Sequence, residues 1–317
     1  MTPGRGATRI AVVGAGHVGT TFAYSLLLSG LAAEIVLVDA DRARAEGEVM
    51  DLNHAVPFTR PARVWAGDPS DVAGAVVTVL AAGVAQRPGE TRLDLLRRNA
   101  AIFAEIVPAV ARANPEGILV VATNPVDLLT DVALEQSGLP PGRVIGSGTI
   151  LDTARFRYLI SRHVGVDPRS VHAYIIGEHG DSEVPVWSLA NVAGMRLDAF
   201  CAAHGLEFDD GVRQRIAHDT RDAAYAIIQR KGATYYAVAA GLLRLVEAIL
   251  RDQRTVLTVS TRVRDYEGID ASISLPTVVD RTGAARVLRL QLDPAEAAAL
   301  RRSAEMLRDM REKGRGG

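Results

Sequence analysis

The stretch Gly14-Ala-Gly-His-Val-Gly19 constrains this chain more than any other, because of what stands on either side of it. Arg9 to Val13 is a largely apolar run of buried-strand type, and Thr20 to Ser29 reads as an apolar helix. A second strand-like run, Glu34 to Val38, ends at Asp39, 25 residues after Gly14. Strand, glycine turn, helix, strand and terminal carboxylate together form a dinucleotide cradle. Gly14 permits the turn, Gly16 lets a pyrophosphate approach the backbone, and Gly19 lets the helix lie close to the strand. His17 and Val18 lie in the turn before the helix, whose first N–H groups have no partner within it and suit an anion. A carboxylate at Asp39 accepts from both ribose hydroxyls and repels a 2′-phosphate, so NAD is expected rather than NADP. The turn alone is a weak signal that a glycine-rich loop would also give. The strands and Asp39 make the difference.

Further apolar runs at Val76 to Ala82, Ile118 to Thr123 and Val144 to Ile145 alternate with helical segments such as Leu93 to Ala113. This alternation predicts an α/β fold with a Rossmann-type, doubly wound parallel sheet. Ligands of such sheets bind beyond the carboxyl ends of the strands, where Gly83 and Asn124-Pro125 fall. After Gly148 the pattern changes. Thr255 to Val263, Ile273 to Val279 and Ala285 to Leu292 read as strands with short connections, hence antiparallel. Asp209 to Lys231 reads as a long amphipathic helix continuing past Gly232 to Leu250. A last helix begins at Asp293-Pro-Ala-Glu296, a capping box, and is expected to end at Gly314. We therefore expect an NAD-binding domain over 1–148 and an α+β catalytic domain with antiparallel strands over 149–317, sharing a site at their junction.

The chain of 317 residues is long enough for two such domains, and its 48% hydrophobic content suits two cores. Lys+Arg 36 against Asp+Glu 37 leaves no net field to recruit nucleic acid or an anionic membrane. Met1 to Thr8 holds no apolar run, and no stretch reads as a membrane span. Cys201 stands alone, which excludes an intrachain disulfide and a cysteine metal cage; no metal is expected, and the protein reads as cytoplasmic.

Candidate chemistry centres on Gly177-Glu-His-Gly-Asp-Ser-Glu-Val-Pro185, an imidazole between glycines with carboxylates nearby. His179 suits a step that both gives and takes a proton near neutral pH, although any one of 7 histidines is more commonly structural. In Leu151-Asp-Thr-Ala-Arg-Phe-Arg157, Asp152 and Arg155 share a helix face, as a site pair or simply as an intrahelical ion pair, while Arg157 points elsewhere. The segment Ala82 to Arg92 reads as a polar loop, either an ordinary surface loop or a lid bringing Gln86 and Arg92 to a small polar substrate.

The glycine turn, Asp39, the Gln86 to Arg92 loop, Thr123-Asn-Pro-Val-Asp127, the Asp152 helix and Gly177 to Asp181 together resemble the NAD-dependent L-lactate dehydrogenases of the lactate/malate dehydrogenase family, over nearly the whole chain. The resemblance implies His179 as acid/base with Asp152 against it, Arg155 as the substrate-carboxylate clamp, and Arg92 polarising the carbonyl. It places Asn124 beside both substrate and nicotinamide, and Gly83, Asn99 and Thr123 in the cofactor site. It also makes Gln86 the discriminator: malate dehydrogenases typically carry Arg there, and a neutral amide leaves the second carboxylate of oxaloacetate unpaired. Pyruvate and L-lactate are thus the implied substrates, with Thr234 narrowing the pocket and Glu178 lactate-like. Arg157 and His172 match positions of a fructose 1,6-bisphosphate activator site between subunits, and a homotetramer is implied. The rival readings are a malate dehydrogenase, a non-catalytic NAD sensor and, weakest, a metal-dependent NAD-using glycosidase. The set His179, Asp152, Arg155 and Arg92 argues against the sensor, because sensing needs no proton relay.

Overall fold

The computed structural model describes residues 8–315 apart from Gln86 and Pro88. Its elements run β1 (Arg9–Val13), α1 (His17–Ser29), β2 (Glu34–Val38), α2 (Arg42–Ala55), β3 (Arg63–Gly67), β4 (Val77–Leu80), α3 (Arg92–Ala113), β5 (Ile118–Val121), α4 (Val126–Ser137), β6 (Val144–Gly146) and α5 (Ile150–Val164). There follow β7 (Val171–Ile176), β8 (Val184–Val192), β9 (Met195–Arg196), α6 (Leu197–Ala203), α7 (Asp210–Lys231), α8 (Tyr236–Leu250), β10 (Thr255–Tyr266), β11 (Ile269–Asp280), β12 (Gly283–Val287) and α9 (Pro294–Arg315).

Strands β6-β5-β4-β1-β2-β3 lie parallel in that order, the doubly wound arrangement expected from the alternation of elements. β2, β4 and β5 are buried along their whole length, which is why their sequences are almost all Val, Ile and Leu, interrupted only by Glu34 and Thr78, rather than alternating. One face of the sheet is covered by α1, α2 and α8, the other by α3, α4 and α9. A third core, around Phe156, Ile175, Phe200 and Ile216, joins α5 and α7 to the small antiparallel sheet β7-β8-β9.

The late strands are antiparallel as expected, but they form no sheet of their own. β10 pairs with β6 at Ser260 and Gly146, so β10, β11 and β12 extend the parallel sheet to nine strands. The close approach depends on Gly146, where a side chain would meet Ser260 Cβ at 2.9 Å. Several bounds also move. α1 starts at His17 rather than Thr20, so the last glycine of the turn lies inside the helix. Gly232, at φ +85, closes α7, and Tyr236 opens a separate helix. The capping box of α9 forms as expected, Glu296 N donating to Asp293 and Asp293 N to Glu296; the helix then runs to Arg315, one residue past Gly314.

Candidate active site

Close packing shapes the glycine turn. A Cβ on Gly14 would lie 2.4 Å from Ala82 N and one on Gly19 would lie 1.9 Å from Gly14 O, whereas nothing among the described residues stands within 4 Å of a Cβ on Gly16. The two tight glycines seat α1 against the sheet, and Gly16 leaves its surroundings open to a ligand. Gly16 caps α1 without any side-chain hydrogen bond, so the first N–H groups of the helix, at His17 and Val18, have no side-chain cap and remain an anion cradle. Asp39 lies beyond the end of β2, accepting from Ala15 N at 2.6 Å and Asp41 N at 2.9 Å, which ties the carboxylate to the turn it serves. These features fit a bound NAD: Gly16 and the start of α1 would hold its pyrophosphate and Asp39 its ribose. The His17 ring stacks on Tyr235 at 5.2 Å, linking this turn to the connector between α7 and α8.

Gly83 follows β4, and Thr123 and Asn124 follow β5. Asn99, fully buried on α3, bonds both turns, accepting from Val84 N at 2.8 Å and donating to Asn124 O at 2.8 Å. Thr123 Oγ1 donates to Ala82 O at 2.7 Å. With its amide engaged in this way, Asn99 shapes the cofactor side by holding backbone.

The acid–base centre is assembled from several elements. His179 Nδ1 lies 2.5 Å from Asp152 Oδ2 on α5, and Arg155 one turn on donates to Asp152 Oδ1 at 3.0 Å. Arg157 is turned away: its Nε donates to Ala173 O at 2.8 Å and its guanidinium lies over Tyr174. Asp127, at the start of α4, accepts from His179 N at 2.7 Å and fixes the backbone under the imidazole. Burial alone would lower the His179 pKa, but the surrounding carboxylates of Asp152, Asp127 and Glu183 raise it to about 9. Burial would likewise raise Asp152, yet His179 and Arg155 hold it below the ordinary carboxylate range. Asp127 is pushed up to about 6 by burial. His179 can therefore carry a proton at neutral pH with Asp152 charged beside it.

His179, Asp152 and Arg155 line a cleft of about 170 Å³ together with Arg92, Asn124, Glu183, Arg221, Tyr225 and Ile228. Arg92 opens α3 rather than riding on the loop before it, because Thr91 caps the helix and forms a capping box with Asp94. Its guanidinium donates to Glu178 at 2.6 Å and Asp181 at 2.9 Å, and Tyr225 donates to Asp181 at 3.0 Å. Burial disfavours the charge on Arg92, but these carboxylates keep it firmly protonated.

The structure thus brings His179, Asp152, Arg155, Arg92 and Asn124 to one cleft. Gln86 lies outside the described residues, and Thr234 is half-buried in the connector before α8, outside the walls of this cleft. Arg157 lines a separate groove of about 480 Å³ with Arg169, Tyr174 and Arg244, while His172 is exposed on β7 beside the carbonyl that Arg157 binds. Sequence reasoning missed roles for Asp127, Glu183, Arg221 and Tyr225. Asp127 stood in a quoted motif and Glu183 four residues from the histidine, but Arg221 and Tyr225 looked like ordinary polar helix residues.

Two family models match the chain: the lactate/malate dehydrogenase NAD binding domain over residues 8–146 and the lactate/malate dehydrogenase alpha/beta C-terminal domain over 149–316. The chain is 52% identical over 301 residues to the L-lactate dehydrogenase of Thermus aquaticus, covering 95% of this chain and 97% of that one. It is 50% identical over 308 residues to that of Moorella thermoacetica, covering 96% and 97%. Among solved structures, a lactate dehydrogenase from a Medee basin deep-sea metagenome library superposes with a TM-score of 0.92 at 42% identity, covering 97% of this chain and 99% of that one. The minor L-lactate dehydrogenase of Enterococcus mundtii also gives 0.92, at 40% identity and with 97% and 98% covered. With both halves matched in order, and with an NAD cradle facing a histidine–carboxylate centre, the chain belongs to the lactate/malate dehydrogenase family.

Proposed function

We propose that this NAD-dependent oxidoreductase is an L-lactate dehydrogenase that interconverts pyruvate and L-lactate, with His179 as its acid and base. The observation that carries the reading is the contact of His179 Nδ1 with Asp152 at 2.5 Å, backed by Arg155 on the second carboxylate oxygen. It commits one ring nitrogen to Asp152 and leaves Nε2 for substrate. NADH supplies the hydride. Protonated His179 gives its proton to the carbonyl oxygen of pyruvate, and in the reverse direction neutral His179 takes it from the hydroxyl of lactate. Asp152 stabilises the imidazolium. Arg155 engages Asp152 through one nitrogen and has further donors for the substrate carboxylate. Arg92, already charged beside the cleft, would polarise the carbonyl once substrate draws it from Glu178 and Asp181.

Gln86 supports pyruvate over oxaloacetate, since it offers no cation to a second carboxylate. The L-lactate dehydrogenase names of the relatives support the same substrate. The division into a cofactor domain over 1–148 and a substrate domain over 149–317 belongs to this reading, as do a cytoplasmic setting in sugar fermentation and a homotetramer. So does activation by fructose 1,6-bisphosphate at Arg157 and His172. Support for the effector comes from Arg157, which has no carboxylate partner among the described residues and lies beside an exposed histidine.

Following NADH absorbance with pyruvate and oxaloacetate in parallel, with and without the bisphosphate, tests these assignments together. We expect a preference for pyruvate of at least about 100-fold, the order of one unpaired buried charge, and a lower pyruvate KM with effector. Preference for oxaloacetate would overturn the role of Gln86. An effector response that persists when Arg157 and His172 are both replaced would overturn theirs.

A further inference from the structure

The acid–base step accounts for His179, Asp152 and Arg155 but leaves a buried carboxyl in the same cleft without a task. Glu183 is only 6% exposed, and its side chain lines the cleft with His179, Asp152, Arg155 and Arg221. The turn that places it is closed by Glu183 N donating to Gly180 O at 3.1 Å, so it stands one tight turn from the imidazole. Among the described residues its buried Oε1 has no hydrogen-bond partner, and neither has the Nε of Arg221 on α7. A carboxyl that served only to hold the fold would be bonded, as Glu178 is to Arg92 and Ser182, and Glu296 to Ser188.

We propose that Glu183 is a positioning residue of the acid–base centre: a carboxylate facing the His179–Asp152 pair, balanced by Arg221, whose negative charge sets how high in pH His179 keeps its proton. The proposal rests on His179 as the proton carrier. Charged neighbours come from each surrounding element: Asp152 and Arg155 on α5, Asp127 on α4, Arg92 on α3, Glu178 and Asp181 beside the histidine, and Arg221 on α7. Burial and the nearby Asp152 push Glu183 up to about 8, while His179, Arg221 and Arg155 pull the other way. Glu183 and His179 therefore titrate in overlapping ranges, and the ionised carboxylate favours the imidazolium across the cleft.

The test is a direct titration of the His179 ring in the free enzyme, by NMR with carbon-13-labelled histidine, its signal assigned by its loss in His179→Asn. In Glu183→Gln, an isostere without charge, the midpoint should fall by about one pH unit, and the alkaline limb of kcat/KM for pyruvate should move with it. Glu183→Asp keeps the charge and should stay near the wild-type midpoint. Coincident midpoints in wild type and Glu183→Gln overturn the proposal, and so does an Asp variant displaced as far as the Gln variant, which would mark an effect of shape. Because the titration needs no turnover, a fully active His179→Asn would overturn the acid–base assignment while leaving the comparison of midpoints readable.

Discussion

The glycine turn and the cleft around His179, which we propose serve one reaction, are built on opposite principles. Every group of the turn lies between Gly14 and Gly19 except Asp39, and its shape comes from backbone: two glycines pressed against main chain and a third with open space around it. The cleft draws on α3, α5, α7, the turn before α4 and the segment between β7 and β8, and its character comes from charge, with His179, Asp152, Asp127 and Glu183 shifting one another. A site made of local backbone geometry is robust to charge and intolerant of volume. A site made of converging side chains should show the reverse.

His179→Asn gives the largest expected effect. Removing the proton carrier should lower kcat for pyruvate by about 10²–10⁴-fold, while NADH binding, followed by fluorescence, stays at wild-type strength. Loss of NADH binding in that variant would mean that the two sites are one, against the comparison drawn above. Gly19→Ala should do the opposite kind of damage. A Cβ 1.9 Å from Gly14 O forces the turn open, with a stability loss of about 3 kcal/mol that thermal unfolding would register as a clearly lower Tm.

Change of pH should divide the sites without mutation. With His179 at about 9, pyruvate reduction should fall as pH rises through that value while lactate oxidation gains, and NADH affinity should not follow the same curve. The folded protein also binds this proton more tightly than the unfolded chain, whose histidine titrates near about 6.5. The resulting stability is fully present below that value and lost as pH rises through about 9. A rate profile flat across this range would remove His179 from the proton step.

Legibility in the sequence followed the same division. Most of the parallel half could be read because its buried strands are nearly continuous apolar runs, whereas the partly exposed edge strand β3 gave no such run; the turn could be read because its glycines are needed within six residues of one another. Asp152 and Arg155 shared a helix face by spacing, but whether they formed an intrahelical pair or a site was open. In the structure they are both, because His179 reaches the other oxygen of the same carboxylate. Asp127 was invisible as the support of His179, 52 residues away along the chain. The late strands were read as antiparallel from their short connections, but no local signal could show that β10 joins β6 and continues the cofactor sheet.

By itself, then, the sequence determined the dinucleotide cradle and the alternation of strands and helices around it, which depend on neighbours within a few residues or on one periodicity, while His179 stood out as a candidate proton carrier only through its resemblance to a known family. Only the tertiary structure decided which carboxylates surround that carrier, that Arg92 is held by Glu178 and Asp181, and that Glu183 and Arg221 face the same cleft. The physical reason is range. Backbone geometry is settled by adjacent residues, whereas the pKa of a buried group is settled by whatever charges the fold brings within a few ångströms, however distant they are in the chain.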